Sequence, residues 1–133
     1  QKLKSAPKPL DFWGVVYSHD LDLPIAEYLE HFDAVTFWTW HASDIPKLED
    51  TFARFEKIVP KIRKLLGCYM WDYGNNRPMP VEFMQDQCQI GLNWLKERRI
   101  EGIVFLASCI CDIGLEAVEW TRRWIEEIGN QTI

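Results

Sequence analysis

The sequence has little positive charge and no long hydrophobic run. Fifteen Lys and Arg stand against twenty Asp and Glu in 133 residues, for a formal net charge of -5, and basic residues cluster no further than residues 96–99. A nucleic-acid surface generally carries an excess of basic side chains, so we expect no nucleic-acid partner. No apolar run reaches the roughly 18 residues that a membrane span needs. We therefore expect no membrane partner either.

Cysteine is scarce and lacks the spacing of a metal site. The four cysteines, at positions 68, 88, 109 and 111, form no CxxC pair. Zinc ribbons and dithiol redox sites depend on such pairs, so the sequence argues against both. Free cysteine is among the most buried residue types, and we expect buried, reduced thiols at these positions.

Aromatic residues are abundant, and they recur within a repeated pattern. A short apolar and aromatic run followed by a segment with helical spacing occurs four times. Runs that are apolar throughout and rich in β-branched and aromatic residues indicate buried parallel strands. We expect each to be followed by a helix, the first opened by Asp22 and Pro24, the second by Ser43 or Asp44, and the last by Asp112 with Gly114. The four runs are residues 12–20, 34–41, 65–72 and 103–111, and the third helix is expected over residues 80–99.

This alternation predicts an α/β fold of four βα units with parallel strands, in a single domain of residues 1–133 that begins with an entry segment, residues 1–10. One architecture is half of a (βα)8 TIM barrel, since a whole barrel of about 250 residues leaves about half that length for four units. The alternative is a small open doubly wound sheet. Such a sheet is expected to carry a glycine-rich phosphate turn after its first strand, and residues 18–22 (SHDLD) are not one. Because the runs end in polar or aromatic residues, as strands do at the active-site face of a barrel, we interpret the units as strands five to eight.

Three segments at the ends of these runs carry a resemblance to a known class of protein: residues 38–41 (WTWH), 69–74 (YMWDYG) and 108–112 (SCICD). With them, residues 11–129 resemble the C-terminal half of a glycoside-hydrolase-like TIM-barrel protein. The resemblance implies a cleft at the carboxyl ends of the strands, with aromatic platforms for sugar rings and carboxylates for acid-base work. Glycosidases of the commonest barrel clan carry catalytic Glu on strands four and seven. The matching end of the third run here is Asp72, and strand four would lie outside this chain.

Three aspartates are candidates for the catalytic carboxylates. Glycoside hydrolysis needs a proton donor and a second carboxylate, and each candidate stands at a predicted strand end. An aspartate directly before a helix is commonly an N-cap, which is the structural alternative for each of them. The catalytic candidates are Asp20, Asp72 and Asp112, and the candidate ring contacts for a substrate are Tyr17, Trp40, Trp71 and Tyr73.

A second constellation fits metal-assisted hydrolysis. His19, His41 and Asp112 follow three different runs, and two imidazoles with a carboxylate are suitable ligands for zinc or another divalent metal. Their placement resembles the amidohydrolase barrels, with histidines on strands five and six and an aspartate on strand eight. Histidines at strand ends also commonly hydrogen-bond loop backbone.

Three functions stay open at this point. The first is a carbohydrate-active barrel, hydrolytic in its complete form, with a small molecule or an oligosaccharide as substrate and no cofactor. The second is a metal-dependent hydrolase or isomerase, and the third is a non-catalytic scaffold or binding domain. Half a barrel leaves open strand edges and an uncovered inner face, so we expect a homodimer or a separate barrel half as partner.

Overall fold

The computed structural model describes residues 7–107 and 110–131, and its centre is a four-stranded parallel sheet. A two-stranded antiparallel hairpin follows the third strand of this sheet. The strands are β1 (Trp13–Tyr17), β2 (Ala34–Trp38), β3 (Arg63–Tyr69), β4 (Trp71–Asp72), β5 (Arg77–Pro78) and β6 (Gly102–Leu106), and the helices are α1 (Ala26–Leu29), α2 (Leu48–Ile58), α3 (Val81–Lys96) and α4 (Glu116–Ile128).

The spatial order of the main sheet is β1-β2-β3-β6, so each strand pairs with the next long strand along the chain. All three pairings are parallel. The α/β fold with four parallel strands is therefore confirmed. A doubly wound sheet contains a reversal of strand order and carries helices on both faces. The order seen in the described residues has no such reversal and does not match that alternative.

One face of the sheet is covered by the helices. Val16, Phe37, Leu66 and Ile103 form a row across the four strands on this face. Phe37 packs against α2, where its ring centroid lies 5.6 Å from that of Phe52. Helix α3 approaches the same row at Gly91, whose missing side chain leaves room for Leu66 and Ile103. These contacts build the larger part of the hydrophobic core, as expected where apolar area is removed from water.

The opposite face carries larger and more polar side chains. Tyr17, Trp38, Gly67 and Val104 form the last row of this face that crosses all four strands. A Cβ at Gly67 would collide with the Trp38 ring, so the glycine allows the indole to lie across β3. The indole Nε1–H of Trp38 donates to Thr36 Oγ1 at 2.8 Å, and that hydroxyl donates to the carbonyl of Gly14 at 3.3 Å. Buried polar groups on this face are thus paired with one another.

The first run was expected to be buried throughout, and this prediction is wrong. Trp13 and Val15 are 47% and 57% exposed. Both side chains lie on the face of the sheet opposite the helices, whereas Gly14 and Val16 of the same strand, on the helix-covered face, are buried.

The helices differ from the sequence predictions mainly at their starts. Helix α1 is a single turn, and Tyr28, which the helical spacing of Ile25, Tyr28 and Leu29 predicts to face inward, is 70% exposed. Residues 42–47 form a 3-10 turn before α2 begins at Leu48. Helix α4 begins at Glu116 rather than at Asp112, because Gly114 adopts a left-handed φ of 79° that interrupts any earlier start.

The cysteine prediction is confirmed at two positions and wrong at a third. Cys68 and Cys88 are buried free thiols, whereas Cys111 is exposed in the loop after β6. Cys109 and Ser108 lie outside the described residues. Among the described residues, no helix has the length and apolar character required to cross a membrane.

Candidate ligand-binding site at the carboxyl edge of the sheet

A cavity of about 400 Å³ lies where β1 and β2 end, lined by Tyr17, His19, Trp40 and His41. Parallel strands in register bring their carboxyl ends to the same edge, so residues that follow different strands meet there. Two of the lining residues come from the predicted ring contacts and two from the predicted metal ligands. The structure therefore brings these four together, although they were predicted for different reactions.

A tight turn after β1 places His19 on the cavity. Residues Ser18–Asp20 form a 3-10 turn, and Asp20 Oδ2 accepts a hydrogen bond from the backbone N–H of Tyr17 at 3.1 Å. The turn brings the imidazole of His19 parallel to the Tyr17 ring, with the two ring centroids 5.3 Å apart. The other oxygen of Asp20 lies 3.7 Å from His19 Nε2. Asp20 thus shapes the turn and also stands beside a residue that lines the cavity.

Aromatic rings form one wall of the cavity and continue behind it. The edge of one ring meets the face of the other in the Tyr17–Trp40 pair, with centroids 5.5 Å apart and an interplanar angle of 85°. Trp40 also packs on Tyr73, with a centroid distance of 5.4 Å, and Tyr73 packs on Tyr69. Edge-to-face and offset pairs of this kind are the favoured geometries of aromatic contacts. The wall is therefore held by ring packing as well as by the backbone.

Tyr69 supports the wall from behind. Its burial raises the pKa of the phenol well above its ordinary value, and a side-chain hydrogen bond with Tyr17 raises it further. The hydroxyl of Tyr69, like any phenol, is neutral at physiological pH, and its raised pKa keeps it neutral and available for this hydrogen bond to a higher pH than a free phenol. Sequence reasoning did not select Tyr69 as a site residue, although it opens one of the segments that carry the resemblance.

Asp72 lies below the surface beside the cavity. Its side chain is fully buried. Oδ1 accepts a hydrogen bond from the backbone N–H of Ala42 at 3.1 Å, and Oδ2 accepts one from Asn75 Nδ2 at 2.8 Å and one from Arg77 Nε at 3.1 Å. Burial alone would raise the pKa of this carboxyl, but the hydrogen bonds with Asn75, Ala42 and Arg77 outweigh burial and lower it. This geometry favours an ionised structural carboxylate over a proton donor.

The remaining predicted residues do not line the cavity. Asp112 is exposed in the loop after β6, and Trp71 is partly buried in the β4–β5 hairpin. Within residues 7–107 and 110–131, no three His, Cys, Asp or Glu side chains come together as a group able to hold a metal. The set of His19, His41 and Asp112 is thus not assembled here, even though both imidazoles share one cavity.

The lining offers ring faces, imidazole nitrogens and a phenol hydroxyl. Such a site binds a ligand that has both apolar surface and hydroxyl groups, because each ring combines an apolar body with a polar atom. None of the four lining residues carries a carboxylate. Asp20, whose side chain is 28% exposed and adjoins His19, is the predicted carboxylate closest to this chemistry.

No protein family, no curated protein sequence and no solved structure matches this chain. The resemblance to glycoside-hydrolase-like barrels stays a prediction.

Proposed function

We propose that this chain is half of a (βα)8 barrel and that it binds carbohydrate in the cavity lined by Tyr17, His19, Trp40 and His41. The observation that carries the proposal is the position of this cavity. It is rich in aromatic side chains and lies at the carboxyl edge of a parallel sheet whose strand order follows the chain. In βα barrels this edge is where ligands bind.

Two features support half a barrel. In a barrel, every strand is followed by a helix on the outside, and neighbouring strands follow one another along the chain. Here the strand order is sequential, and α2 and α3 pack on the same face of the sheet. Trp13 and Val15 leave apolar surface exposed at the β1 edge. A second copy of the chain or a separate barrel half would cover that edge.

The lining chemistry supports a sugar as ligand. A pyranose presents C–H groups on its faces and hydroxyl groups around its rim. Tyr17 and Trp40 provide aromatic surface for the faces, and His19 and His41 provide nitrogens that donate or accept hydrogen bonds to the rim.

We extend the proposal to hydrolysis only for a completed barrel. Retaining and inverting glycosidases need two carboxyl groups, about 5 Å apart or about 6.5 to 9.5 Å apart respectively. Asp20 is the candidate that this chain supplies, because Asp72 is buried with both oxygens hydrogen-bonded and Asp112 is away from the cavity. The second carboxylate would then come from the other half.

The test is a panel of monosaccharides and oligosaccharides screened by saturation-transfer NMR and measured by calorimetry. His19→Ala removes a lining side chain that is 57% exposed, so the fold should tolerate the change. We expect binding to weaken about tenfold, which corresponds to ~1.4 kcal/mol and is the size of one lost hydrogen bond. His31→Ala is the matched control, because His31 is exposed and is not part of the cavity. Failure of every sugar to bind, or equal binding by His19→Ala and the unmodified chain, would overturn the proposal.

The half-barrel part has its own test. Light scattering over a range of protein concentrations should show a dimer, or a complex with a separately supplied half. A folded monomer at every concentration would contradict it.

A further inference from the structure

We propose that the β4–β5 hairpin, residues 71–78, fixes the shape of the cavity by holding residues 40–42. Within the hairpin, Gly74 is the positioning residue that determines where the His41 imidazole lies. The effect of the hairpin on which ligand binds rests on the proposed function, because it requires the cavity to be a carbohydrate site. The structural part of the proposal stands without a ligand.

The hairpin contacts three consecutive residues of the loop after β2, each through a different group. The backbone N–H of Gly74 donates to the carbonyl of Trp40 at 3.0 Å. The ring of His41 lies against Gly74 itself. The backbone N–H of Ala42 donates to Asp72 Oδ1 at 3.1 Å. A carbonyl, a side chain and an amide of one short segment are thus held by one small hairpin.

The hairpin is itself held in shape by charge and backbone pairing. β4 and β5 pair through Trp71 with Pro78 and Asp72 with Arg77. Arg77 Nε and Asn75 Nδ2 both donate to Asp72 Oδ2, and hydrogen bonds to a charged acceptor are stronger than neutral ones. The turn includes Asn76, which has a left-handed φ of 49° that asparagine tolerates better than most residues. A hairpin fixed in this way can impose its position on the loop that it contacts.

Gly74 is the point of closest approach. A Cβ built there would overlap the His41 ring at Cγ, Nδ1 and Cε1, so a larger residue would displace the whole imidazole. His41 and Trp40 are two of the four lining residues, and Trp40 is also packed by Tyr73 of the same hairpin. Half of the lining is therefore positioned by the hairpin, and the width of the cavity depends on the absence of a side chain at residue 74.

The first arm of the test needs no ligand. In the unmodified chain we expect nuclear Overhauser effects between the Hα protons of Gly74 and the ring protons of His41. Gly74→Ala should shift the His41 ring resonances and lower the melting temperature. Adding His41→Ala removes the ring that the new methyl meets, so the double variant should regain most of the lost melting temperature.

This rescue keeps the inference testable even if Gly74→Ala alone fails to fold. Gly102→Ala is the matched control, because a Cβ at that glycine would lie 3.3 Å from the tip of Leu65, a tight contact that a small shift of this flexible side chain relieves. It should leave the His41 resonances unchanged. Absence of the Overhauser effects, or a double variant no more stable than Gly74→Ala, would overturn the inference.

The second arm measures the affinity for a sugar that binds the unmodified chain. Gly74→Ala and His41→Ala should each weaken binding about tenfold, and the double variant should be no weaker than His41→Ala alone. Such non-additivity is the sign that one residue acts through the other. Losses that add, or full affinity in Gly74→Ala, would contradict the positioning role. If no sugar binds the unmodified chain, the proposed function fails, and the first arm alone decides whether Gly74 positions His41.

Discussion

The two faces of the main sheet are packed by different means. On the helix-covered face, Phe37 and Leu66 meet apolar side chains whose contacts impose few directional demands. On the opposite face, Trp38 and Thr36 are joined by a hydrogen bond. The ring of Tyr69 packs against both Trp38 and the cavity residue Trp40. Buried polar groups need partners in specific directions, so the second face fixes geometry as well as stability. We infer that the first face mainly stabilises the fold and the second mainly positions the cavity.

The largest effect should come from the helix-covered face. Phe52 is fully buried, and its ring stacks on Trp94 with centroids 4.0 Å apart. Phe52→Ala should lower the free energy of unfolding by ~3–5 kcal/mol, as measured by urea denaturation, because it leaves a cavity. Tyr28→Ala, at an exposed position, should change it by less than about 0.5 kcal/mol. Similar losses in the two variants would show that this face does not dominate stability.

The next effect probes close packing on the opposite face. Gly67→Ala would push the Trp38 indole off β3 and break its hydrogen bond with Thr36. We expect a loss of ~3 kcal/mol, at the upper end of the usual cost of overpacking, together with a change in tryptophan near-ultraviolet circular dichroism. The control Gly102→Ala should cost less than about 1 kcal/mol. Unchanged dichroism in Gly67→Ala would contradict the packing of Trp38 across the glycine.

A smaller effect isolates the hydrogen bond itself. Thr36→Val keeps the shape of the side chain but leaves the buried indole N–H of Trp38 without its acceptor. The expected loss is ~1–2 kcal/mol in denaturant unfolding. Thr51→Val on α2 removes a hydroxyl that bonds only to carbonyls of the preceding turn, so it should cost clearly less. Equal losses would show that the hydrogen bond between Trp38 and Thr36 contributes no more to the free energy of unfolding than the hydroxyl of Thr51 does.

The smallest effect is expected on acidification, and it should be local to the cavity edge. The pKa of Asp72 is lowered in the folded protein, so its contribution to stability is complete above the pKa of the unfolded chain, about 3.9, and is lost as the pH falls through the folded value. Hydrogen exchange of the Ala42 amide should therefore lose protection below about pH 3.9 before that of Leu66 does. In Asp72→Asn this pH dependence should disappear. Simultaneous loss at Ala42 and Leu66 would contradict a local effect.

The parallel strands and longer helices were predictable because their signals are local. The β-branched and aromatic run ending at Trp38 and the apolar periodicity of Phe52 and Phe55 depend on neighbouring residues alone. The exposure of Trp13 was not predictable, because it depends on which face of the sheet the helices leave uncovered. The short α1 was missed for a similar reason, since Tyr28 has helical spacing but no surface to pack against.

The cavity lining was partly predictable, and the role of Asp72 was not. Tyr17, His19, Trp40 and His41 were selected because they lie at or just after strand ends, and the parallel register brings such positions together. Asp72 was selected by the same reasoning, but its Oδ1 accepts a hydrogen bond from the backbone N–H of Ala42, which lies 30 residues earlier in the chain. A contact between residues so far apart in the chain produces no periodic pattern in the sequence from which it could be predicted.

The sequential order of the sheet also has a consequence for how the protein is made. Val16 pairs with Phe37, Phe37 with Leu66, and Leu66 with Ile103, so each strand leaving the ribosome meets an edge that is already complete. None of the four strands described in the main sheet has to insert between two neighbours that have already paired. Each new strand needs only the edge left by the strand before it, and the entropy cost of closing the intervening loop grows only slowly with the length of that loop.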